Sequence, residues 1–396
     1  MYANDTAYTD QSMANVTAYL DGMLNGTTGG SGEEEPEIPI MQITDAKQQT
    51  NGMVGKTIVI DEKNNKIMVP KGFKIASDSG DTVQQGIVIE DVSASIDSAV
   101  QGSQYVWIPV GTFTKDDGSP SNEIKLGRYT FDSSGNTIAP LQYAENYTET
   151  VVIKDDDGYD YTEKTTYNVG NESSEIGVGA NATAKNLAEF INSTKSIEEG
   201  GNGGYYIGRY EASYANGATN ATEIGNYAEC KAASKMSRVY YSSSSSFLYD
   251  SGTLWNWITQ LEASKVAINT YEDSNSVKSD LMNSYAWDTA IVYIQEAENA
   301  NYANETRKHT SLSNTGNLAE GVKDEVCKIN DMASNLWEWT TECSSRISQD
   351  VFAYPCTVRG GLYFNNTRCT ISRSSYNSAN LGNGNIGFRL MLYADL

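Results

Sequence analysis

Asn330-Asp331-Met332-Ala333-Ser334-Asn335-Leu336-Trp337-Glu338-Trp339-Thr340 is the stretch on which the reading of the fold turns. Trp337 and Trp339 alternate around Glu338. Side chains on a strand point to opposite faces in turn, so a strand here puts both indoles on one face and the carboxylate on the other. Downstream, Arg359-Gly360-Gly361 supplies backbone that can turn sharply or be approached closely, because glycine has no Cβ to block either. Upstream, Tyr205-Tyr206-Ile207-Gly208-Arg209-Tyr210-Glu211 reads as a strand, as does Tyr105-Val106-Trp107-Ile108-Pro109-Val110, which a proline ends. Gly387-Phe388-Arg389-Leu390 lies near the end of the chain.

Between these stretches the hydrophobic spacing turns helical. Residues 186–193 place Leu187, Phe190 and Ile191 on one face. Helices are also predicted over 254–264 and over 284–297, the latter with Trp287, Ile291 and Ile294 at core spacing. Residues 151–167, with Asp155-Asp156-Asp157-Gly158, read as a surface hairpin, and 242–246 as a low-complexity serine loop. Nearer the start, three β-branched runs alternate with turns: Thr57-Ile58-Val59-Ile60, Lys66-Ile67-Met68-Val69-Pro70 and Gly86-Ile87-Val88-Ile89. Asn64-Asn65 between the first two suits a hairpin turn. Residues 3–24 have helical spacing at Val16, Leu20, Met23 and Leu24, and a Gly-, Thr- and Glu-rich linker follows. The predicted organisation is a helix and flexible linker over 1–36, a small β-rich region over 37–103, and a main domain over 104–396.

The 396 residues carry a formal net charge of −23, with 51 acidic residues against 28 Lys and Arg. A nucleic-acid binder needs a basic footprint, so that class is disfavoured. Of the aromatic residues 26 are Tyr, which pairs apolar area with a polar tip and suits half-buried strands and wet contact surfaces. No apolar run reaches the ~18 residues that a membrane-spanning helix needs. The polar start, Met1 followed by Tyr2-Ala3-Asn4-Asp5, predicts that a natural signal or anchor has been removed. Five cysteines, Cys230, Cys327, Cys343, Cys356 and Cys369, contain no CxxC pair, which argues against a zinc ribbon or a thioredoxin-type motif. Cys343 and Cys356 lie close enough in sequence to bridge. His309, the one histidine, sits in the polar loop Arg307-Lys308-His309-Thr310, which argues against a histidine-based triad, and one histidine cannot build a histidine-rich metal site.

Four stretches, in order, resemble the formylglycine-generating-enzyme-like, or sulfatase-modifying-factor, family: the Tyr105 strand continued by Gly111-Thr112-Phe113, the Tyr205 strand, Asn330–Thr340, and Arg359-Gly360-Gly361 with Gly387-Phe388-Arg389-Leu390. The resemblance implies an α+β, C-type-lectin-type fold, with helices around small antiparallel sheets and much irregular loop. It also implies a test for chemistry. The family's oxidases bind copper through two cysteines after their Gly-Gly, and soft Cu(I) selects such thiolate pairs. Here Leu362-Tyr363-Phe364-Asn365-Asn366-Thr367-Arg368-Cys369 holds a single cysteine, at a position that resembles a non-catalytic one. The expectation is therefore no catalytic residue and no required cofactor. Calcium, which relatives hold near the stretch matching Asn335–Glu338, remains a candidate ligand, while the metal ligands themselves stay unassigned.

Residues 357–386 differ in composition from the rest. Their 30 positions include 6 Asn, 4 Ser, 3 Thr and 2 Tyr, no Asp, Glu or Lys, and three arginines, Arg359, Arg368 and Arg373. The reading is a mildly basic patch with paratope-like chemistry, in which rigid amphipathic anchors sit among adaptable hydrogen-bonding neighbours. The segment also resembles the variable region of retroelement-diversified proteins that share the lectin-type fold. That resemblance implies ligand contact by Tyr363, Asn365, Asn366, Thr367, Ser372, Ser374, Tyr376, Asn377, Asn380, Asn383 and Asn385. The expected function is a non-enzymatic ligand-binding or adhesion protein outside the cell, at its surface or on a phage particle, that meets a protein or glycan. The alternatives are a copper oxidase acting on sulfatase cysteines and a pilin-like or tail-like structural subunit.

Overall fold

A computed structural model describes residues 38–93, 98–131, 137–143, 153–154, 160–163, 187–215, 230–236, 253–305, 324–344, 356–363, 370, 372–375 and 383–396. The predicted N-terminal helix and linker, the serine loop at 242–246 and His309 lie outside the described residues. So do Asn365, Asn366, Thr367, Cys369, Tyr376, Asn377 and Asn380.

The centre is a six-stranded antiparallel sheet in the order Val277–Leu281, Leu390–Ala394, Gly204–Gly208, Gln104–Pro109, Val88–Asp91, Phe73–Ile75. The strands predicted at Tyr105 and Tyr205 are therefore neighbours, with Tyr206 facing Trp107 in register. Their rings pack edge to face at 5.0 Å between centroids. Phe190, from the helix Leu187–Ser193, packs on Tyr205 and Tyr393 at 5.1 and 5.7 Å. All five of these aromatics are buried, and such side chains supply most of the apolar area that holds a core together.

The hairpin at Asn64-Asn65 joins the antiparallel strands Thr57–Ile60 and Lys66–Val69. Asn64 takes a left-handed φ of 65°, which Asn tolerates better than most residues. Asp61 accepts from the backbone N–H groups of Lys63 and Asn65, both at 2.8 Å, and so closes the turn. Ile40–Gln42 completes this small sheet by parallel pairing. Tyr206 donates its hydroxyl to the Met68 carbonyl at 2.8 Å and ties the small sheet to the central one. Phe73–Ile75 and Val88–Asp91 belong to the central sheet itself, and Pro39–Leu396 forms one unit.

The helix predicted at 284–297 runs over Ser284–Ala297, with Trp287, Ile291 and Ile294 fully buried. Asn283 caps it, accepting from Ala286 N at 2.8 Å. The helix predicted at 254–264 instead occupies Gln260–Thr270. Its start is set by a capping box: Thr259 accepts from Glu262 N at 3.2 Å while the Glu262 carboxylate accepts from Thr259 N at 2.9 Å. Trp257 has a φ of 58°, so residues 254–259 cannot be helical. Thr259→Ala should cost about 1 kcal/mol of stability, read from chemical denaturation, since it leaves first-turn N–H groups without their side-chain acceptor.

A second sheet carries the candidate site. Its order is Arg373–Ser375, Cys356–Arg359, Trp337–Ser344, Asp160–Glu163, Ile153–Lys154, and Ile386–Phe388 pairs parallel to Trp337–Trp339. The predicted hairpin at 151–167 is thus built into a sheet, with Tyr161 buried. Its aspartate turn lies outside the described residues. Among the described residues no helix is long and apolar enough to cross a membrane.

Candidate binding surface

The Trp337–Ser344 strand places its residues as its alternation requires. Trp339 is buried and donates its indole N–H to the Ile258 carbonyl at 2.9 Å. Glu338, on the other face, is gripped by Arg389 through two hydrogen bonds of 2.7 and 3.1 Å. The same guanidinium donates to the Gly208 and Asn330 carbonyls at 2.8 and 2.7 Å. One buried arginine therefore joins the ends of three of the recognised stretches. Glu211 accepts from Leu336 N at 3.0 Å and from the Asn335 amide. Burial raises the Glu211 carboxyl well above its ordinary value, with Asp331 and Glu338 adding to the effect. Burial raises Glu338 as well, although Arg389 pulls it the other way. Within the Asn335–Glu338 stretch, the Glu338 carboxylate is thus engaged in this internal network. Among the described residues no group of three or more His, Cys, Asp or Glu is placed to hold a metal ion.

Gly360 and Gly361 behave as their sequence implies. Gly360 has a φ of 84°, and a Cβ on Gly361 would collide with the Ala333 carbonyl. The chain can leave the sheet here only because both positions lack side chains.

Beneath this turn lies a buried cluster of five charges. Arg359 donates to Asp288 at 2.6 Å and to the Ser372 carbonyl at 3.1 Å, approaches Glu342 at 3.5 Å, and lies 5.5 Å over the Trp287 ring. Arg373 grips Glu342 at 3.1 and 3.2 Å and also donates to Asp288. Arg128 donates to Glu342 at 2.6 Å and to the Tyr161 carbonyl at 3.0 Å. Burial alone would raise the Glu342 carboxyl, but Arg373, Arg128 and Arg359 overcome it and hold it down to about 2. Burial opposes the Arg373 charge, yet Asp288 and Glu342 raise its pKa further.

This cluster corrects the expectation of a basic patch. Arg359 is 0% exposed and the Arg373 side chain 8%, and both are neutralised from below. The two arginines lock the strands Cys356–Arg359 and Arg373–Ser375 onto the helix Ser284–Ala297, which carries Asp288. Arg368 lies outside the described residues.

Five predicted contact residues are described, and all are half-buried: Tyr363, Ser372, Ser374, Asn383 and Asn385. Three come together. Tyr363 donates its hydroxyl to Asn385 Oδ1 at 3.2 Å, Asn385 N donates to Asn383 Oδ1 at 2.9 Å, and Ile386 N donates to the Asn383 carbonyl at 3.0 Å. Asn383 and Asn385 therefore shape their own turn as well as presenting it. Ser372 and Ser374 stand apart from this group, with Ser374 on the outermost strand of the sheet, opposite Val358.

The sequence reading missed Trp257, which is 40% exposed beside this turn. Its backbone N–H donates to the Asn383 carbonyl at 3.0 Å, and Asn256 Nδ2 donates to the Gly384 carbonyl at 3.1 Å. The indole lies so close over Gly384 that a Cβ there would stand 2.5 Å from its nitrogen. The available signal was the Thr259/Glu262 capping box, which pushes the helix start beyond Trp257.

Among the cysteines, Cys343 and Cys356 stand directly opposite each other on adjacent antiparallel strands. Cys230, Cys327 and Cys343 are buried.

The family model of the sulfatase-modifying factor enzyme 1-like domain matches residues 93–394. No curated protein sequence matches the chain. Among solved structures, the chain is similar to a Major Tropism Determinant M1 variant at 12% identity and a TM-score of 0.27, over 91% of this chain and 99% of that one.

Proposed function

Because the chain belongs to the sulfatase-modifying factor enzyme 1-like family, we propose that it uses that frame for binding, with residues 357–386 as a diversified contact surface and no enzymatic turnover. The observation that carries this reading is the buried Arg359–Arg373–Asp288–Glu342 cluster, which anchors two strands of a segment whose Tyr363, Ser372, Ser374, Asn383 and Asn385 are half-exposed. A contact surface must vary in side chain without losing its backbone. Here buried charge fixes the strands Cys356–Arg359 and Arg373–Ser375, and the half-exposed residues among those described are small, polar or tyrosyl, as in binding loops selected for adaptable hydrogen bonding. The segment's single cysteine, Cys369, leaves no thiolate pair for copper. In this reading the protein acts as an adhesin or receptor-binding module, on a cell surface or a phage particle, toward a protein or glycan of another surface.

Two measurements test it. In display against candidate host cells or an array of surface molecules, Tyr363→Ala should reduce capture at least tenfold with little change in melting temperature. Unchanged capture would remove Tyr363 from the surface. Copper titration with a cysteine-containing sulfatase peptide should give no formylglycine, and turnover would overturn the reading. A template repeat and a reverse transcriptase beside the gene would mark the segment as retroelement-diversified.

A further inference from the structure

We infer that Trp257, which lies outside the asparagine-rich segment, is a fixed stacking platform of the contact surface, and that the ligand it receives is an uncharged saccharide. The inference rests on the reading of residues 357–386 as a binding surface and adds to it a constant residue and a ligand class.

The first observation is that Trp257 pays a conformational cost that packing does not return. A bulky side chain at a φ of 58° sits in the left-handed region that L residues avoid. Trp107, Trp255, Trp287 and Trp339 are all fully buried, whereas Trp257 is 40% exposed. Strained residues persist where the surrounding structure over-determines them, and they concentrate at ligand-contact sites. Three features hold Trp257 in place: its N–H on the Asn383 carbonyl, the Asn256 amide on the Gly384 carbonyl, and a glycine at 384 that leaves room for the indole. All three involve residues 383 and 384 of the segment proposed to bind. Residues 256 and 257 are thus fastened to the contact turn, and the indole lies over Gly384.

The second observation is the charge of the two stretches of sequence that meet at this turn. One residue in five of this chain is charged, yet none is charged in 253–261 or in 374–388. Tyr363, Asn383 and Asn385 offer a phenol and primary amides, groups that both donate and accept. Asn385 Oδ1 accepts from the Tyr363 hydroxyl, which orients its amide. An exposed aromatic face with neutral amides at its rim matches a sugar. The C–H face of a pyranose covers the indole, and its hydroxyls pair with amides without desolvating an ion. An anionic ligand would find no cation in these stretches and would approach a chain of net charge −23.

The test is an array that carries uncharged hexose and N-acetylhexosamine oligosaccharides, their sialylated and sulfated counterparts, and deglycosylated surface proteins. Wild type should bind members of the uncharged set. In titration calorimetry with the best of these, Trp257→Ala should weaken binding at least tenfold, and Trp257→Phe should recover part of the loss. Gly384→Ala, which displaces the indole while retaining it, should weaken binding as well, and it serves as the test if Trp257→Ala does not fold. Binding to deglycosylated protein alone, to charged glycans alone, or to no uncharged saccharide overturns the inference, as does full affinity in Trp257→Ala. Loss of capture in Tyr363→Ala with full capture in Trp257→Ala would end this inference and leave the binding surface standing. Full capture in both would end the two together.

Discussion

Glu342→Gln is expected to lower the free energy of unfolding by about 3 to 5 kcal/mol, the usual cost of removing one partner from a buried ion pair. The substitution keeps the shape and deletes the charge. Three guanidiniums, Arg128, Arg359 and Arg373, are then left with Asp288 as the one carboxylate in the cluster. Chemical denaturation followed by tyrosine and tryptophan fluorescence measures the loss. The double variant Glu342→Gln/Arg128→Met should lose less than the sum of the single losses, since it removes one of the stranded cations.

The pH dependence follows with a definite sign. Unfolded, the Glu342 carboxyl titrates near its ordinary 4.5, and folded it is held down to about 2. Its contribution is therefore complete above about pH 4.5 and is lost as pH falls toward 2, at a total of about 3 kcal/mol. The difference in stability between wild type and Glu342→Gln should shrink across that window. A difference that stays constant with pH would show that Glu342 does not carry the charge balance of the cluster.

Gly361→Ala should be equally severe for a different reason. The new methyl would overlap the Ala333 carbonyl, with Ser334 N also within 2.9 Å, so backbone and not a flexible side chain would have to move. Overpacking of this kind costs about 1–3 kcal/mol where neighbours can give, and more where they cannot. The substitution also disturbs the exit from the Cys356–Arg359 strand toward Tyr363. A fall in melting temperature of roughly 3–5 °C is expected for a loss of about 3 kcal/mol in a unit of this length. A melting temperature within 2 °C of wild type would mean that the two backbones are not in contact here.

The elements legible in the sequence were those whose signal is local. Trp287, Ile291 and Ile294 recur at helical spacing, and the helix is found over the predicted residues. The Trp337-Glu338-Trp339 alternation defines a strand, and paired glycines mark a backbone approach. What stayed hidden was partnership across distance. Arg359 and Arg373 counted as surface charge because their acceptor, Asp288, lies 71 and 85 residues away. Asp288 was itself a clue, since a carboxylate next to Trp287 on the apolar stripe of a helix needs a buried cation. Trp257 was hidden by the opposite error. Apolar spacing drew it into a helix whose capping box begins two residues later.

The strand Leu390–Ala394 lies inside the central sheet, between Val277–Leu281 and Gly204–Gly208. It is the last strand of that sheet in chain order, so the nascent sheet carries two open strand edges until residue 394 has emerged. Both would be free to pair with other chains during that interval. Closure of the sheet therefore waits for this strand, and the long sequence separation between its neighbours makes that step slow. Residues 357–386 leave the tunnel just before this strand, so sequence changes that delay their settling would prolong the vulnerable interval.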